Sequence, residues 1–542
     1  MESKEPKKSV PLTIYLIKEE FDKADEIISE KAAHDPIKIN IPGCPSLLFV
    51  ERSNNFHPAW VSLFSEFVDP TTIPKIASLS ALLLAQTKDR YFALTFGNGR
   101  FLLRPEVLEE RFGLLVALNS VDEDSFRVID KQSLDPIQSH SRIQSGRATT
   151  PDRFGLDVEQ DLLRAVVGKP KSEKLGARMT GADSLGVSVR MDLPDLPYLL
   201  NAYREKFEQD ISGTIYSWVN NIAILKKTSQ AVSNLDELLV EKFSVGDHSN
   251  LWLSIPEIID WSNVKGFIFT RGKGVVHPDI TLPDFLDTTT SQAINLELLL
   301  NSKVSCADED HRRMNKNWPV YKCIYTEIDY EGDKYVLNGG TWFKISIDFV
   351  NRTNEVFDKI KHSKLEMPVY SGGGESDYNA YVASINPNKF ALLDNDIVYH
   401  GGSQGKVEIC DLFSIDKELI HIKRYLRSDA LSHLFSQGLV SGQLLQLDAE
   451  FRKKVKDKLS APYDSLINFA VRPADKEFTV VYGVISRSQK PGLHLPFFSR
   501  VNINNATKTL EGFGYKVRIL RIQWDEKYAK TKYGPPAKVK KL

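Results

Sequence analysis

Paired cysteines, net charge and long apolar runs are all scarce in this sequence. The four cysteines lie far apart and form no CxxC pair, which excludes a zinc ribbon or a disulfide-rich scaffold and is typical of a reducing compartment. The formal net charge of −1 provides no overall field that would attract DNA or a membrane surface, so nucleic-acid binding would need a local basic patch. No apolar run approaches the roughly 20 residues that cross a bilayer. We therefore expect a cytoplasmic protein without a membrane partner.

The length of 542 residues, with 42% hydrophobic and 26% charged residues, is that of an ordinary globular protein with several domains. Strand and helix patterns alternate at the N-terminal end, and a polar stretch at 131–152 is typical of a linker or a long surface loop. We predict a multidomain α/β (α+β) protein. Its predicted parts are an N-terminal mixed α/β domain over 1–150, a mostly helical middle domain over 151–330, a C-terminal domain over 331–525 and a basic tail over 526–542.

Two shorter patterns give local predictions. In "FGNGRF" the apolar alternation continues on both sides of Asn98 and Gly99, which predicts a β-hairpin turn at these two residues. In "DVEQDLLRAVVGKP" Asp157 can cap a helix, and Gly168 followed by Lys169 and Pro170 would end it.

The C-terminal part has an informative order of elements. The segment "GGGESDYNAYVASI" is a glycine loop followed by a helix with Glu375 in its first turn. Three strands follow in "KFALLDND", "KVEICDLFS" and "ELIHIKRY", then a helix in "DALSHLFSQGLVSGQLLQ" and a strand in "EFTVVYGVIS". A last helix and strand lie in "NATKTLEGFGYKVRILRI". The predicted core is thus helix, three strands, helix, strand.

This order resembles the αβββαβ core of the PD-(D/E)xK superfamily, the restriction-endonuclease-like fold. In that superfamily an acid ends the second strand and an acid-x-Lys pair lies on the third, which here corresponds to Asp411 and to the pair His421 and Lys423. An acid on the first helix and a glutamine on the following helix correspond to Glu375 and Gln437. The resemblance implies that these five residues are catalytic.

The chemistry explains why such residues are needed. Carboxylates bind Mg²⁺, which activates water and stabilises the charge that develops on a phosphate. A lysine positions or activates the water. Strand alternation places His421 and Lys423 on the same face, which predicts that they meet at one site. We predict Mg²⁺ or Mn²⁺ as cofactor, with Asp411, Glu408 and His421 as ligands.

Two departures from the superfamily pattern concern His421 and Glu408. Histidine replaces the usual acid before the lysine, and it is a poorer ligand for Mg²⁺ than for Mn²⁺ or softer metals. Glu408 lies three residues before Asp411, so on a regular strand it would face away, and only a bulge or bend would bring it in. The site is therefore either active with an altered metal preference, or degenerate and able only to bind.

Basic and polar residues next to this pattern predict contacts with phosphate groups. They are Arg424, Arg427, Ser432 and His433. Each candidate also has an ordinary alternative: a solvated carboxylate, a hydrogen-bonded histidine under a helix, or an edge lysine. The glycine loop before Glu375 offers a third possibility, hydrolysis or transfer chemistry that uses Glu375 with an anion held at the helix N-terminus, but its spacing matches no known motif.

The segments "EICDLFS", "LIHIKRY" and "LSHLFSQGLVS", with "ESDYN", "LPFFS", "LLRAVVG" and "TGADSL", resemble a family that is distributed sporadically among bacteria and archaea, the domain of unknown function 6119. The match covers most of the chain. The patchy distribution is similar to that of mobile defence genes, which implies a role against phage.

The function expected from the sequence is a metal-dependent nuclease, or restriction-like effector, acting on phage or other foreign nucleic acid, with DNA favoured over RNA. The alternative is a catalytically degenerate protein that binds nucleic acid or senses a phage protein and signals by assembly with further copies of itself. Metal-dependent stabilisation that Asp411→Ala abolishes distinguishes the two hypotheses.

Overall fold

The fold is that of a computed structural model of the full chain. It describes residues 9–525 except 31–34, 53–56, 58, 65, 89, 134–139, 157, 159–160, 226, 249, 258, 260, 262–263, 272–273, 290–292, 395–396, 400–405, 426–427 and 489–491. The described residues divide into two compact units, one within residues 1–132 and 140–220 and the other within residues 133–139 and 221–542. We call them unit 1 and unit 2. The predicted basic tail at 526–542, and Arg427, lie outside the described residues.

Unit 1 is built on a sheet of ten strands in the order β2-β3-β4-β5-β1-β10-β9-β8-β6-β7. The strands are β1 Ser9–Leu16, β2 Ile37–Ile41, β3 Cys44–Arg52, β4 Leu79–Thr87, β5 Arg90–Phe96, β6 Phe126–Ser133, β7 His140–Thr149, β8 Asp161–Gly168, β9 Arg178–Gly181 and β10 Leu185–Arg190. The helices are α1 Ala24–Ile27, α2 Phe112–Leu118 and α3 Leu196–Glu208. The buried faces of α2 and α3 pack on the sheet in the main core of this unit.

Three local predictions for unit 1 are wrong. The stretch 131–152, predicted as a linker or a long surface loop, contains the end of β6 and all of β7, which pair with each other. The helix predicted to end at Gly168 is instead strand β8, whose residues Val166 and Val167 pair with β9; Asp157 lies outside the described residues. The segment "LLRAVVG" is buried and contains β-branched residues, which fit a pleated core strand better than a helix. Pairing with the neighbouring strand therefore outweighs the apparent capping pattern.

The hairpin predicted at Asn98 and Gly99 is also elsewhere. Strands β4 and β5 form a hairpin earlier in the chain, where Thr87 pairs with Arg90. A 3₁₀ turn, Gly99–Leu102, follows β5. A Cβ on Gly99 would collide with the carbonyl oxygen of Ala81. The glycine therefore serves the close approach of two backbones and not a hairpin turn.

Unit 2 contains the remaining strands and helices. The strands are β11 Ile222–Ile224, β12 Leu251–Leu253, β13 Gly266–Phe269, β14 Lys303–Ala307, β15 Arg313–Pro319, β16 Ile324–Tyr330, β17 Asp333–Asn338, β18 Thr341–Ile345, β19 Lys361–His362, β20 Phe390–Leu392, β21 Ile397–Tyr399, β22 Lys406–Glu408, β23 Leu412–Ser414, β24 Glu418–Arg424, β25 Thr479–Ser486 and β26 Lys516–Gln523. The helices are α4 Gln230–Val245, α5 Leu282–Thr288, α6 Leu296–Asn301, α7 Val320–Cys323, α8 Ile347–Lys359, α9 Glu375–Ile385, α10 Ser428–Leu447, α11 Ala449–Lys458 and α12 Phe497–Gly512.

These strands make a five-stranded sheet (β11-β18-β17-β16-β12), a three-stranded sheet (β13-β14-β15), a two-stranded hairpin (β21-β22) and a six-stranded sheet in the order β19-β26-β25-β24-β23-β20. In the six-stranded sheet β24, β25 and β26 are parallel, while β23 is antiparallel to both neighbours. The elements α9, β20, β23, β24, α10 and β25 occur in the predicted order, but β21 and β22 interrupt it between β20 and β23, and α11 lies between α10 and β25. The mixed α/β class is confirmed.

The six-stranded sheet is covered on both faces, as alternation along its strands requires. Leu419 on β24 and the odd-numbered apolar residues of β26 join α10, α11 and α12 in one core. Ile420 and Ile422 on β24 and the even-numbered residues of β26 join α9 in another. The sheet is therefore a central layer, and only its edges can present polar groups to solvent.

The predicted domain boundaries differ from this division. Residue 150 lies between β7 and β8, which belong to one sheet, and residue 330 ends β16, which pairs with β17. The segment 151–330, predicted as mostly helical, also contains the nine strands β8 to β16. Among the described residues, helices with the length and apolarity to cross a bilayer are absent.

Candidate functional site

The strand directions bring distant segments to one edge of the six-stranded sheet. Strands β20 and β24 run the same way, because each is antiparallel to β23, which lies between them. The chain leaving β20, the chain entering β23 and the end of β24 therefore lie at the same edge. In sheets of this kind, ligand sites form at the carboxyl ends of parallel strands.

Three carboxylates meet at this edge: Asp394, Glu408 and Asp411, which we call the acidic cluster. One oxygen from each lies within 4.8 Å of the others, and all three side chains are partly exposed. Asp394 follows β20, Glu408 ends β22 and Asp411 immediately precedes β23. Three like charges at this separation repel one another, so the arrangement is unfavourable without a neutralising partner.

Asp411 is fixed by the backbone on both sides. Its N–H donates to the carbonyl of Ile420 at 3.0 Å, and its own carbonyl accepts the N–H of Leu393 at 3.0 Å. Its Oδ2 accepts the N–H of Ile422 at 2.5 Å. Burial raises the pKa of Asp411 to about 7; the Ile422 hydrogen bond and the charge of Lys423 oppose this increase, and the charges of Glu408 and Asp394 add to it.

The other two carboxylates are each held by an amide side chain. Gln437, on α10, donates from Nε2 to Glu408 Oε2 at 2.9 Å. Asn379, on α9, donates from Nδ2 to Asp394 Oδ2 at 3.3 Å. Asn379 is only 1% exposed, and its Oδ1 has no hydrogen-bond partner within the part of the chain that the structure describes. A buried acceptor of this kind normally has a partner, so a cation or a water bound at the cluster would supply the partner that Asn379 Oδ1 lacks among the described residues.

Glu408 reaches the cluster because the predicted second strand is interrupted. Strand β22 ends at Glu408 and pairs with β21 in a separate hairpin, while β23 begins only at Leu412. The three residues between them are outside any strand, so alternation no longer turns Glu408 away from Asp411. The sequence indicated that only a bulge or bend would bring Glu408 to the site of Asp411, and this break is such a bend.

Glu375 and Lys423 form an ion pair beside the cluster. Lys423 Nζ lies 2.9 Å from Glu375 Oε2, and both side chains are about one quarter exposed (26% and 22%). Glu375 Oε1 also accepts the N–H of Arg424 at 2.9 Å. The first turn of α9 is thereby attached to the end of β24, and the charge of Lys423 also acts on the Asp411 carboxyl, whose pKa it lowers.

His421 is not brought to the acidic cluster. It is 2% exposed, its Nε2 lies 3.3 Å from Ser441 Oγ on α10, and its ring centroid is 6.3 Å from that of Tyr482. Burial lowers the pKa of His421 to about 3, so the ring is neutral at physiological pH. Alternation does place it on the same strand face as Lys423, but α10 covers that face at residue 421.

The residues predicted to contact phosphate are dispersed. Ser432 is buried and accepts a hydrogen bond from Asn502 Nδ2 at 3.0 Å, while His433 is exposed on α10. Arg424 donates from Nη1 to the carbonyl of Gly373 at 3.1 Å and lies against Glu375. Arg427 lies outside the described residues.

Sequence reasoning missed Asp394 and Asn379. The signal for Asp394 was present, since "KFALLDND" reads as a strand that ends in acids. Asn379 gave no signal, because an asparagine within a helix has many ordinary roles. The cluster offers oxygen atoms alone, a ligand set that suits Mg²⁺, Ca²⁺ or Mn²⁺.

The fold and the acidic cluster define a mixed α/β protein with a group of carboxylate oxygens at the edge of a sheet that is covered on both faces. The chain belongs to the family of unknown function DUF6119, whose family model matches residues 12–523, so the family resemblance seen in the sequence is confirmed. Searches of the curated proteins and of the solved structures find no match. The likeness of the C-terminal part to PD-(D/E)xK nucleases stays a prediction.

Proposed function

We propose that unit 2 is a metal-dependent phosphodiesterase acting on nucleic acid. The observation that carries the proposal is the acidic cluster, in which three segments far apart in sequence place carboxylate oxygens within 4.8 Å of one another. The unpartnered Oδ1 of buried Asn379 beside Asp394 supports a bound cation independently. Lys423, next to Asp411, supplies the positive charge that phosphoryl chemistry needs.

In the proposed mechanism Asp394, Glu408 and Asp411 would hold a divalent cation, Mg²⁺ or Mn²⁺. When bound, such a cation would supply Lewis acidity, which makes water a better nucleophile and offsets charge on the phosphate. Lys423 orients the water or the phosphate, and Glu375 holds Lys423 in position. Gln437 fixes the orientation of Glu408, and Asn379 fixes that of Asp394. His421 lies under α10 and has a structural role in this scheme. It is therefore not proposed as a metal ligand, although the sequence predicted it as one.

The proposed substrate is foreign nucleic acid, with DNA favoured over RNA, and the proposed setting is defence against phage in the cytoplasm. The alternative is a binding protein without catalysis, which signals through a phage protein or a second copy of the chain. One observation favours this alternative: the strand position that carries an acid in the superfamily is a buried histidine here.

The direct test incubates the purified protein with plasmid DNA, single-stranded DNA and RNA, each with Mg²⁺, Mn²⁺ or EDTA. We expect cleavage of at least one substrate with a divalent cation and none with EDTA. Binding without cleavage under every condition would favour the alternative. Products that form equally with EDTA would reveal a contaminating or metal-independent activity and would reject the proposal.

Cation binding should depend on pH because Asp411 must lose its proton to act as a ligand. Since the pKa of Asp411 is about 7, we expect Mn²⁺ to bind roughly tenfold more weakly at pH 6 than at pH 8, measured by isothermal titration calorimetry. Asp416→Asn, an exposed carboxylate at the turn between β23 and β24, is the matched control and should leave both affinities unchanged. Equal affinity at the two pH values would contradict the assignment of Asp411 as a ligand.

A further inference from the structure

Strand β7 lies at one edge of the ten-stranded sheet of unit 1. In the described part of the chain, β6 is its one neighbour in that sheet. Residues 141–144 of β7 pair one by one with residues of β6. In an antiparallel pair, half of the backbone N–H and carbonyl groups point away from the neighbouring strand. Along 141–144 these groups have no strand partner among the described residues, and an edge of this kind can accept a further strand.

Beyond Gln144 the edge strand bulges, and a local side chain holds the bulge in place. Between Gln144 and Thr149, β7 advances by five residues where β6 advances by two. Ser145 Oγ accepts the N–H of Arg147 at 3.3 Å and donates to the carbonyl of the same residue at 2.6 Å. A bulge bends its strand and ends regular pairing. The stretch that can pair with a further strand is therefore 141–144, with the bulge next to it.

An open groove runs beside this stretch. It is lined by residues of β7 and of the 3₁₀ turn Pro151–Phe154, and its volume is about 570 Å³. Ile143 and Phe154 give the groove an apolar lining, and Arg147 and Arg153 give it a basic one. A side chain of an added strand would therefore find both an apolar contact and a positive charge here.

Basic groups outnumber acidic groups around the edge. Strands β6 and β7 and the 3₁₀ turn carry five lysine or arginine residues and two aspartates. Lys131 pairs with Asp161 of β8 at 2.6 Å. Arg142 lies 3.4 Å from Asp130, but its side chain is 69% exposed, so water screens this pair strongly.

The two arginines of the groove are also open to solvent. Arg147 is exposed, and no ion pair joins it to a described carboxylate. Arg153 lies 3.9 Å from Asp152, and both side chains are more than two-thirds exposed (79% and 74%). Both guanidinium groups can therefore bind an additional carboxylate at little cost in desolvation.

The charge and the backbone together decide which partner fits the edge. A second copy of the chain, paired through its own β7, would bring its arginines against those of the first, and like charges on facing strands are destabilising. A nucleic-acid strand offers phosphate oxygens to the arginines, but its sugar–phosphate backbone has no N–H groups for the carbonyl groups of the edge. An extended peptide supplies N–H and carbonyl groups in alternation, and acidic side chains complement the arginines.

We infer that β7 is a docking edge for an extended, acidic peptide segment of a partner protein. The segment adds to the sheet beside residues 141–144 and places carboxylates next to Arg147 and Arg153. This binding role belongs to unit 1 and goes beyond the proposed phosphodiesterase function, because it requires neither the acidic cluster nor a cation.

The test uses the full-length protein in EDTA and a short fluorescein-labelled peptide in which threonine and glutamate alternate, with binding measured by fluorescence anisotropy. We expect saturable binding that Arg147→Glu and Arg153→Glu each weaken roughly fivefold, whereas Arg147→Lys should bind nearly as well as wild type. Arg472→Glu makes the same charge change at an exposed loop residue of unit 2 and should leave the affinity unchanged. Since Arg147 is exposed, Arg147→Glu should keep the thermal midpoint of wild type.

Two further peptides separate strand pairing from charge. A peptide with proline in place of each threonine keeps the glutamates but lacks half of the N–H groups, and we expect it to bind roughly tenfold more weakly. A peptide with lysine in place of each glutamate should not bind. Equal affinities for the threonine and proline peptides would overturn strand addition, and so would an Arg147→Glu variant that binds as tightly as wild type.

The other occupants are tested with a labelled single-stranded oligodeoxynucleotide and by sedimentation of the protein alone. Oligonucleotide binding that Arg147→Glu abolishes, in a protein that does not bind the threonine–glutamate peptide, would assign the edge to nucleic acid and overturn the inference. A dimer that Arg147→Glu alters, again without peptide binding, would assign it to a second copy. Because EDTA is present throughout, a failure of cleavage at the acidic cluster leaves these outcomes unaffected.

Discussion

Asp411→Asn should reduce cation-dependent cleavage by at least about 10³-fold, which corresponds to about 4 kcal/mol of transition-state stabilisation. Asparagine keeps an oxygen that can accept the N–H of Ile422, but it removes the negative charge that binds the cation. The loss should be seen in initial rates of cleavage with Mg²⁺ or Mn²⁺ near pH 8, on whichever substrate the wild type cleaves.

Stability provides the control for this variant. The Asp411 carboxyl titrates near pH 4 in an unfolded chain and at about 7 in the fold, so between these values the folded state binds more protons. Its contribution to stability is therefore present at low pH and is lost as the pH rises through about 7. In EDTA at pH 8, Asp411→Asn should be at least as stable as wild type. Full activity in a folded Asp411→Asn would reject the proposed site.

Lys423 allows a second measurement on the same reaction. Lys423→Met keeps most of the aliphatic length but removes the charge beside Asp411 and Glu375, and we expect roughly a 10²-fold lower cleavage rate. Its affinity for Mn²⁺ should change far less than that of Asp411→Asn. Asp416→Asn should retain wild-type rates. Equal losses in Mn²⁺ affinity for Lys423→Met and Asp411→Asn would show that Lys423 acts on the cation site and not on the phosphate.

Glu327→Ala should lower the free energy of unfolding of unit 2 by about 3 kcal/mol. Glu327 lies on β16 and is 6% exposed. Its carboxylate accepts the N–H groups of Phe497 at 2.7 Å and Phe498 at 3.4 Å, at the start of α12. The hydroxyl of Tyr325 donates to it at 3.2 Å. Alanine would leave the buried N–H groups of Phe497 and Phe498 without this acceptor. It would also remove the hydrogen bonds that join the five-stranded sheet to α12.

The measurement is chemical denaturation, with hydrogen exchange at the first turn of α12 as a local readout. Burial raises the pKa of Glu327, and glutamine keeps a side-chain oxygen that can accept the same N–H groups. Glu327→Gln should therefore lose less than about 1 kcal/mol. Glu355→Ala, an exposed glutamate on α8, should change stability by less than about 0.5 kcal/mol. A loss in Glu327→Ala no larger than in this control would contradict the role of Glu327.

The order of helices and strands around the site was predictable because it depends on local apolar periods. The pattern placed Glu375 in the first turn of α9 and Lys423 on β24, and the structure has both there. Alternation also correctly put His421 and Lys423 on one strand face. It could not tell that α10 covers the face at His421, while the longer lysine side chain reaches Glu375 at the strand end.

The sequence by itself determined the elements of the C-terminal core and the residue types that bind a hard cation. Only the tertiary structure decided which carboxylates meet, because that depends on strand order and on the break between β22 and β23. Local periodicity covers a few residues, whereas Asp394, Glu408 and Asp411 come together through pairings across the sheet.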